Sequence, residues 1–376
     1  MSEVLSSPAV AGPSPSILVG TWSFSLAAIE AAWSTLGSDE ATLLEALAIA
    51  CRHADLDPSV DSVGFGGLPD ASGRMSLDGA IMLSPLRFGG VCGLRRHLHP
   101  VDVARAVMER TEHRLLCGED ADDFADRHGI PAAELLSEEA RSTWSSWQAR
   151  GDSAEVDQSK DSALLGLRPV DPGLGSDAGG RLFRPPGGDG REGAAPAGHD
   201  TICVLGRAGD GTLGGASSTS GLPFKVPGRV GDSPIAGHGL YVEPGIGQAT
   251  ATGTGELISG ICASMVAVEA MRRGASPHDA VRETLERVER LGDLRPHHQV
   301  GVVVMDAEGR IASGGFRPGF LIAVRDADGG RIVEPDIVLR PDDEGLPESA
   351  TDGFAKSVDP TGAETKSGSQ QRRTGR

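Results

Sequence analysis

Thr201 stands at an abrupt change of composition. Before it run Pro185, Pro186, Gly187, Gly188, Gly190, Gly193, Ala194, Ala195 and Pro196, which lack the apolar content to pack. After it, Thr201 to Gly206 has strand composition and leads through Arg207-Ala208-Gly209-Asp210-Gly211 into a second run from Thr212. A non-packing segment that stops at Asp200-Thr201 makes sense if that bond is cut and Thr201 becomes a chain terminus. The chemistry would then be nucleophilic. A threonine hydroxyl needs a base to take its proton, and an N-terminal threonine carries one, an α-amine with a reference pKa of about 7.7–8.0. The β-branch restricts χ1 and helps hold the hydroxyl. The plainer reading is a β-branched residue that opens a strand.

Three short loops farther on hold the other polar candidates: Ser218-Thr219-Ser220-Gly221, Gly228 to Ser233, and Ala251 to Gly255. Arg229 and Asp232 lie three apart in a glycine-bounded loop. The arginine fork grips a carboxylate and the aspartate accepts from an ammonium, so together they suit a free amino-acid backbone; alternatively they pair with each other or cap a turn. Thr252 and Gly253, at a helix entry, offer a hydroxyl and a backbone N–H to a developing oxyanion, or make only a tight turn. Trp22 and Phe24 follow the short strand-like run Ile17-Leu18-Val19 and either line a pocket or cap a core.

The elements that must position these residues are drawn from 376 residues with 39% hydrophobic and only 4% aromatic content, so the core rests on Ala, Val, Leu and Ile. A net charge of -18 argues against nucleic acid and anionic membranes as partners. Cys51, Cys92, Cys117, Cys203 and Cys262 show no CxxC spacing and read as reduced core residues, not a disulfide frame or zinc site. No window approaches the ~20 apolar residues of a membrane span, and the first residues show no secretory signal, which implies a cytoplasmic protein. Asp61 to Gly67 is glycine-rich but lacks the Gly-Lys-Ser/Thr of a phosphate loop.

Residues 1–16 read as disordered. Helical patterns follow over Ser25 to Leu36 and Ala41 to His53, the second opened by Ser38-Asp39-Glu40 as cap and first-turn acids. Strands are expected over Met75 to Leu83, Arg87 to Leu94 and Leu115-Leu116, with helices over Val101 to His113, Glu119 to His128, and Ala132 to about Arg150 behind Pro131. A linker spans 151–198. Beyond it the pattern predicts strands Thr201 to Gly206, Thr212 to Ser220 and Leu240 to Glu243. A helix then runs from Leu257 to Arg273, introduced by Gln248 to Glu256, and another runs from Ser276-Pro277 to Arg290. The last strands are Val300 to Met305, Arg310 to Gly314 and, as the final one, Phe320 to Arg325; a polar tail, 340–376, reads as disordered. Such blocks of strands and helices imply an α+β layered fold, two mainly antiparallel sheets stacked face to face with helices outside.

The segments His199-Asp200-Thr201-Ile202, Ser218-Thr219-Ser220-Gly221, Gly228-Arg229-Val230-Gly231-Asp232-Ser233-Pro234 and Ala251-Thr252-Gly253-Thr254-Gly255, in this order, resemble the glycosylasparaginases. These are N-terminal-nucleophile hydrolases of the threonine aspartase (asparaginase type 2) group. The amino-terminal half agrees through Thr21-Trp22-Ser23-Phe24, Ser62 to Gly67 and Pro69-Asp70, so the resemblance covers about 17–130 and 199–325. It implies an αββα four-layer sandwich formed by one domain from 17–150 and 199–326, cut autocatalytically at Asp200–Thr201. It implies hydrolysis of the side-chain amide of N4-substituted asparagine, giving aspartate through a β-aspartyl ester on Thr201. In that scheme Thr219 bonds the nucleophile and Thr252 with the Gly253 N–H forms the oxyanion hole. Arg229 holds the α-carboxylate, Asp232 and the Gly255 region hold the α-ammonium, Gly231 also belongs to the substrate-binding set, and Trp22 and Phe24 wall the pocket. The substrate is a small molecule, no metal or organic cofactor takes part, and cleaved protomers form a homodimer. Two departures stand out: Cys203 where the family usually has Gly, and Thr254-Gly255-Glu256, which is closer to the related asparaginase/isoaspartyl peptidases. An L-asparaginase or β-aspartyl peptidase with the same nucleophile is therefore the alternative, and an uncut amino-acid-binding homologue a third.

Overall fold

The computed structural model describes residues 15–149, 201–291, 294 and 298–341. Asp200, the expected linker and nearly all of the expected disordered ends lie outside the described residues. Two sheets stack. The larger has strand order β12-β11-β1-β5-β6-β2-β3-β4 and the smaller β13-β10-β9-β8-β7. In the larger, β1 is Ile17–Thr21, β2 Leu77–Ser84, β3 Arg87–Leu94, β4 Leu115–Cys117, β5 Ile202–Arg207, β6 Leu213–Thr219, β11 Ile322–Asp326 and β12 Gly329–Val333. In the smaller, β7 is Leu240–Glu243, β8 Gly247–Gly253, β9 Val300–Asp306, β10 Ile311–Gly315 and β13 Ile337–Val338. Both are antiparallel except where β4 and β13 join, each parallel to its neighbour.

Three apolar clusters define the layers. Between the sheets lie Met82, Phe88, Leu205, Leu240, Met305 and Phe320. Outside the larger sheet pack α1 (Ser25–Trp33), α2 (Glu40–Asp55), α3 (Pro100–Arg110) and α4 (Gly118–Arg127), while α5 (Glu138–Ala149) packs on Leu68, Ala71 and Phe224; outside the smaller pack α7 (Ala263–Arg272) and α8 (Pro277–Glu289). This is the α+β, helix–sheet–sheet–helix order the sequence implies. The helices begin where their caps allow: the Asp39 carboxylate accepts the Thr42 N–H, and Ser276 accepts the Asp279 N–H with Pro277 in the first turn. In α2, Leu43 and Leu47 are fully buried, each contributing about 1.5–3 kcal/mol.

Several expectations are corrected. The helix expected from Ala132 begins only at Glu138, where Ser137 Oγ accepts the Ala140 N–H; Pro131 to Ser137 is irregular. The stretch introducing the next helix is the strand β8, paired between β7 and β9. Its alternating Thr and Ala are small, yet each pairs across to β9. The helix from Leu257 to Arg273 is two, α6 (Gly255–Ile261) and α7, broken at Cys262, which takes the left-handed conformation. Phe320 to Arg325 is not the last strand, because Asp326-Ala327-Asp328-Gly329 turns the chain into β12. Cys117 and Cys262 are exposed, so only three of the free cysteines are core residues.

Candidate active site

Register brings the first elements together. In the β5–β6 pair Ile202 faces Ser218, so Thr201 and Thr219 meet one step beyond; in the β1–β5 pair Gly20 faces Val204, which sets Thr21 beside Cys203. β5 lies between β1 and β6 at the middle of the larger sheet. At this end of the sandwich β8, the second strand of the smaller sheet, delivers Thr252 and Gly253. Thr21 Oγ1 donates to the Thr201 carbonyl at 2.8 Å and accepts the Cys203 N–H at 2.9 Å, clamping the start of β5.

The Thr201 side chain is buried and doubly held. Its hydroxyl donates to Thr219 Oγ1 at 3.1 Å and lies 3.2 Å from Ser233 Oγ. Thr219 passes its own proton to the Ser62 carbonyl at 3.3 Å and accepts the Gly221 N–H at 2.9 Å. The order of acceptors is thus fixed: Thr201 to Thr219 to Ser62. Alternation along β6 turns Ser218 to the opposite face, where it bonds Asp55, while the Ser217 hydroxyl holds the Ser233 carbonyl at 2.9 Å.

Thr252 is fully buried. It accepts the Trp22 indole N–H at 3.0 Å and reaches the Thr201 carbonyl at 3.4 Å. Trp22 itself sits at φ 64, its ring edge-on to Phe320, its carbonyl fixed by Ser25 Oγ. Gly253 has φ 110, and a Cβ there would stand 2.4 Å from the Gln299 carbonyl; only glycine ends β8 this way. The cleft is lined by Thr201, Thr219, Gly221, Leu222, Arg229, Gly231, Asp232, Ser233 and Gly253. Trp22 and Phe24 are not among its lining residues. Trp22 acts on it through Thr252, and Phe24 packs against the apolar clusters.

The charged pair is not an internal ion pair. Arg229 Nε and Nη2 bond the two carboxylate oxygens of Glu256 at 2.9 and 3.0 Å, and Asp232 forms no such bond with Arg229. The Asp232 carboxylate is buried, and its Oδ2 has no hydrogen-bond partner among the described residues. Burial pushes its pKa up to about 7, against the lowering effects of its own backbone N–H and of the Arg229 charge. Both of its oxygens face bare backbone: a Cβ at Gly255 would stand 2.8 Å from Oδ1, and one at Gly239 2.8 Å from Oδ2. Behind the site Lys225 is also buried, with Asp78 at 3.9 Å and a bond to the Ser76 carbonyl; burial drives its pKa down.

The structure thus brings Thr201, Thr219, Gly253, Arg229, Gly231 and Asp232 to one cleft, with Thr252 against the Thr201 carbonyl and Gly255 against the Arg229 and Asp232 side chains. Sequence reasoning missed Ser233, Ser62 and Glu256. Ser233 was legible as the neighbour of Asp232 in the same loop; Glu256 entered only as the last residue of the Thr254-Gly255-Glu256 departure. Among the described residues no group of His, Cys, Asp and Glu is arranged to hold a metal ion, and no helix is long and apolar enough to cross a membrane.

Comparison with known proteins matches residues 19–333 to the family described as Asparaginase. The chain is 33% identical over 328 residues to an N(4)-(beta-N-acetylglucosaminyl)-L-asparaginase of Elizabethkingia miricola, covering 86% of this chain and 85% of that one. It is 35% identical to proteins of the same name from Mus musculus, over 76% of this chain and 81% of the relative, and from Rattus norvegicus, with the same coverage.

Proposed function

The chain belongs to the asparaginase family and is an amidohydrolase of linear amides, and from that premise we propose that it cuts itself at Asp200–Thr201 and then hydrolyses the side-chain amide of N4-substituted asparagine, GlcNAc-asparagine above all. The observation that carries this reading is a buried threonine hydroxyl, held by two other hydroxyls, in a cleft that also presents Arg229 and a partnerless Asp232 oxygen.

In the first reaction Thr201 Oγ attacks the Asp200 carbonyl carbon. The peptide C–N bond breaks, the nitrogen takes up the hydroxyl proton and becomes the Thr201 α-amine, and water hydrolyses the resulting ester. In the second, that amine takes the Thr201 hydroxyl proton while Oγ attacks the substrate's side-chain carbonyl carbon. The oxyanion receives the Gly253 N–H and the Thr252 proton, which the 3.4 Å contact to the Thr201 carbonyl holds only weakly. Collapse passes the amine's proton to the leaving nitrogen, and water then releases aspartate from the β-aspartyl ester. Trp22 keeps the Thr252 lone pair occupied, so its proton points away from the indole. Arg229 takes the substrate's α-carboxylate and Asp232 its α-ammonium. A bound ammonium also answers the cost of a buried unpartnered carboxylate.

Two measurements test this. Intact mass and N-terminal sequencing should find a second fragment that begins at Thr201. Turnover of GlcNAc-asparagine, asparagine and β-aspartyl-leucine should rank the first highest. Turnover of the dipeptide alone would reassign the protein to the peptidase reading, whose Thr254-Gly255-Glu256 signature it shares.

A further inference from the structure

Arg229 is seated in a slot made of missing side chains. A Cβ on Gly231 would stand 3.0 Å from Nη1, one on Gly221 3.2 Å from Nη1, and one on Gly255 2.8 Å from Nη2. Main chain therefore fixes where the guanidinium lies, but a planar fork can still rotate within a slot. Its two edges are used unequally. The Nε/Nη2 edge is filled by the Glu256 carboxylate; Nη1 takes no hydrogen bond among the described residues, and it lies against Gly221 and Gly231, two residues that line the cleft.

We propose that Glu256 is a positioning residue that holds one edge of the Arg229 fork so that the Nη1 edge faces the cleft and receives the substrate's α-carboxylate. The inference rests on the amidohydrolase reading above and deepens it. As a stability device the pair is poor: the Glu256 side chain is 58% exposed against 15% for Arg229, and ion pairs open to water contribute little to folding. Its geometry is specific all the same. Two parallel N–H···O bonds set the plane of a fork whose free edge must meet another planar carboxylate. A Cβ at Gly231 would meet the guanidinium alone, one at Gly255 would meet it and Asp232 Oδ1 at the same 2.8 Å, and one at Gly221 would meet Lys225 Nζ first, at 2.9 Å. A rival role for Glu256, as an internal carboxylate that substrate must displace, gives the opposite sign in the test.

The test compares wild type, Glu256→Ala and Glu256→Gln. Each is assayed with L-asparagine and with 3-aminopropanamide, the same amide without the α-carboxylate. L-aspartate binding is followed by calorimetry. Glu256→Ala should raise KM for asparagine and Kd for aspartate about three- to ten-fold, leave kcat within about two-fold, and shrink the preference for asparagine over 3-aminopropanamide by the same factor. Glu256→Gln, which keeps one oxygen for Nε or Nη2, should recover part of the loss; should the alanine variant not fold, the glutamine variant still has to show a raised KM and Kd. Unchanged or lower KM and Kd in either variant overturn the positioning role. Wild-type protein that neither binds aspartate nor turns over asparagine or GlcNAc-asparagine would instead remove the amidohydrolase reading on which the proposal stands.

Discussion

The cleft has two unlike walls. On one, Thr201, Thr219 and Thr252 are neutral hydroxyls at strand ends, and each has hydrogen-bond partners already in place. On the other, Arg229 and Asp232 are charged groups in a glycine-bounded loop, and each keeps a polar atom without a partner among the described residues. A completed network rigidifies what it holds, whereas an incomplete one leaves valence for a ligand. The difference assigns aim to the hydroxyl wall and capture to the charged wall. In kinetic terms, damage to the first should appear in kcat and damage to the second in KM.

The largest effect should come from Thr201→Ala. It removes the nucleophile, so kcat should fall by about 10⁴-fold or more, and the chain should stay whole on a denaturing gel. Residual turnover near wild type would dissolve the distinction between the walls at once. Gly253→Ala comes next. The added Cβ meets a backbone carbonyl at 2.4 Å and is held at φ 110, so the strand end must shift and the proposed oxyanion N–H with it. A loss of about 100-fold in kcat is expected, together with a lower Tm, since such strain costs about 1–3 kcal/mol. On the charged wall, Arg229→Lys replaces a fork with a point charge and should raise KM about ten- to 100-fold while sparing kcat. A change confined to kcat would put Arg229 on the wrong wall.

How far these walls could be read from the sequence depended on which residues carried the information. Thr201, Arg229, Asp232 and Gly253 are special at their own positions: a hydroxyl at a composition break, a charged pair between glycines, a glycine where the backbone must turn. The cap of α2 was equally local, since Asp39 and Thr42 are three residues apart. What stayed hidden were relations between distant segments. Ser62 receives the Thr219 proton across 157 residues, and Glu256 takes the edge of Arg229 that a reading of the loop alone leaves free. β8 escaped because Thr and Ala alternate without bulk, and its strand character comes from pairing on both sides with β7 and β9. The break between α6 and α7 falls on Cys262, a residue with no propensity for the left-handed region it occupies. Asp326-Ala327-Asp328-Gly329, by contrast, carries a readable turn signal that the sequence reading passed over.

The acidity of Asp232 sharpens the comparison without any substitution. Its carboxyl titrates at about 7 in the folded chain, and only the ionised form accepts from an ammonium. As pH falls through about 7, kcat/KM should decline toward ten-fold per unit. In kcat the limb should weaken, because a bound ammonium keeps the carboxylate charged; a limb of equal depth in both would point to the Thr201 amine instead. Stability runs the other way. A carboxyl raised above its ordinary value opposes folding most above about 7, and that penalty is relieved as pH falls from about 7 toward about 4. Asp232→Asn should therefore raise Tm at pH 8 while binding fails.

Ser233 gives the smallest expected effect and the closest test, because it sits on the boundary. It adjoins Asp232 in the loop, yet its hydroxyl lies 3.2 Å from the nucleophile. Thr219 cannot donate to the Thr201 oxygen while its own proton is given to the Ser62 carbonyl, so the donor available as that oxygen gains charge is Ser233. The Ser217 hydroxyl, fixed on β6, holds the Ser233 carbonyl and ties this residue to the strand more than to the loop. Ser233→Ala should accordingly lower kcat about three- to ten-fold, the worth of one net hydrogen bond, and leave KM where it is. A raised KM with kcat intact would mean that the residue serves by shaping the Asp232 turn, and the line between the walls would then run through the nucleophile's own contacts.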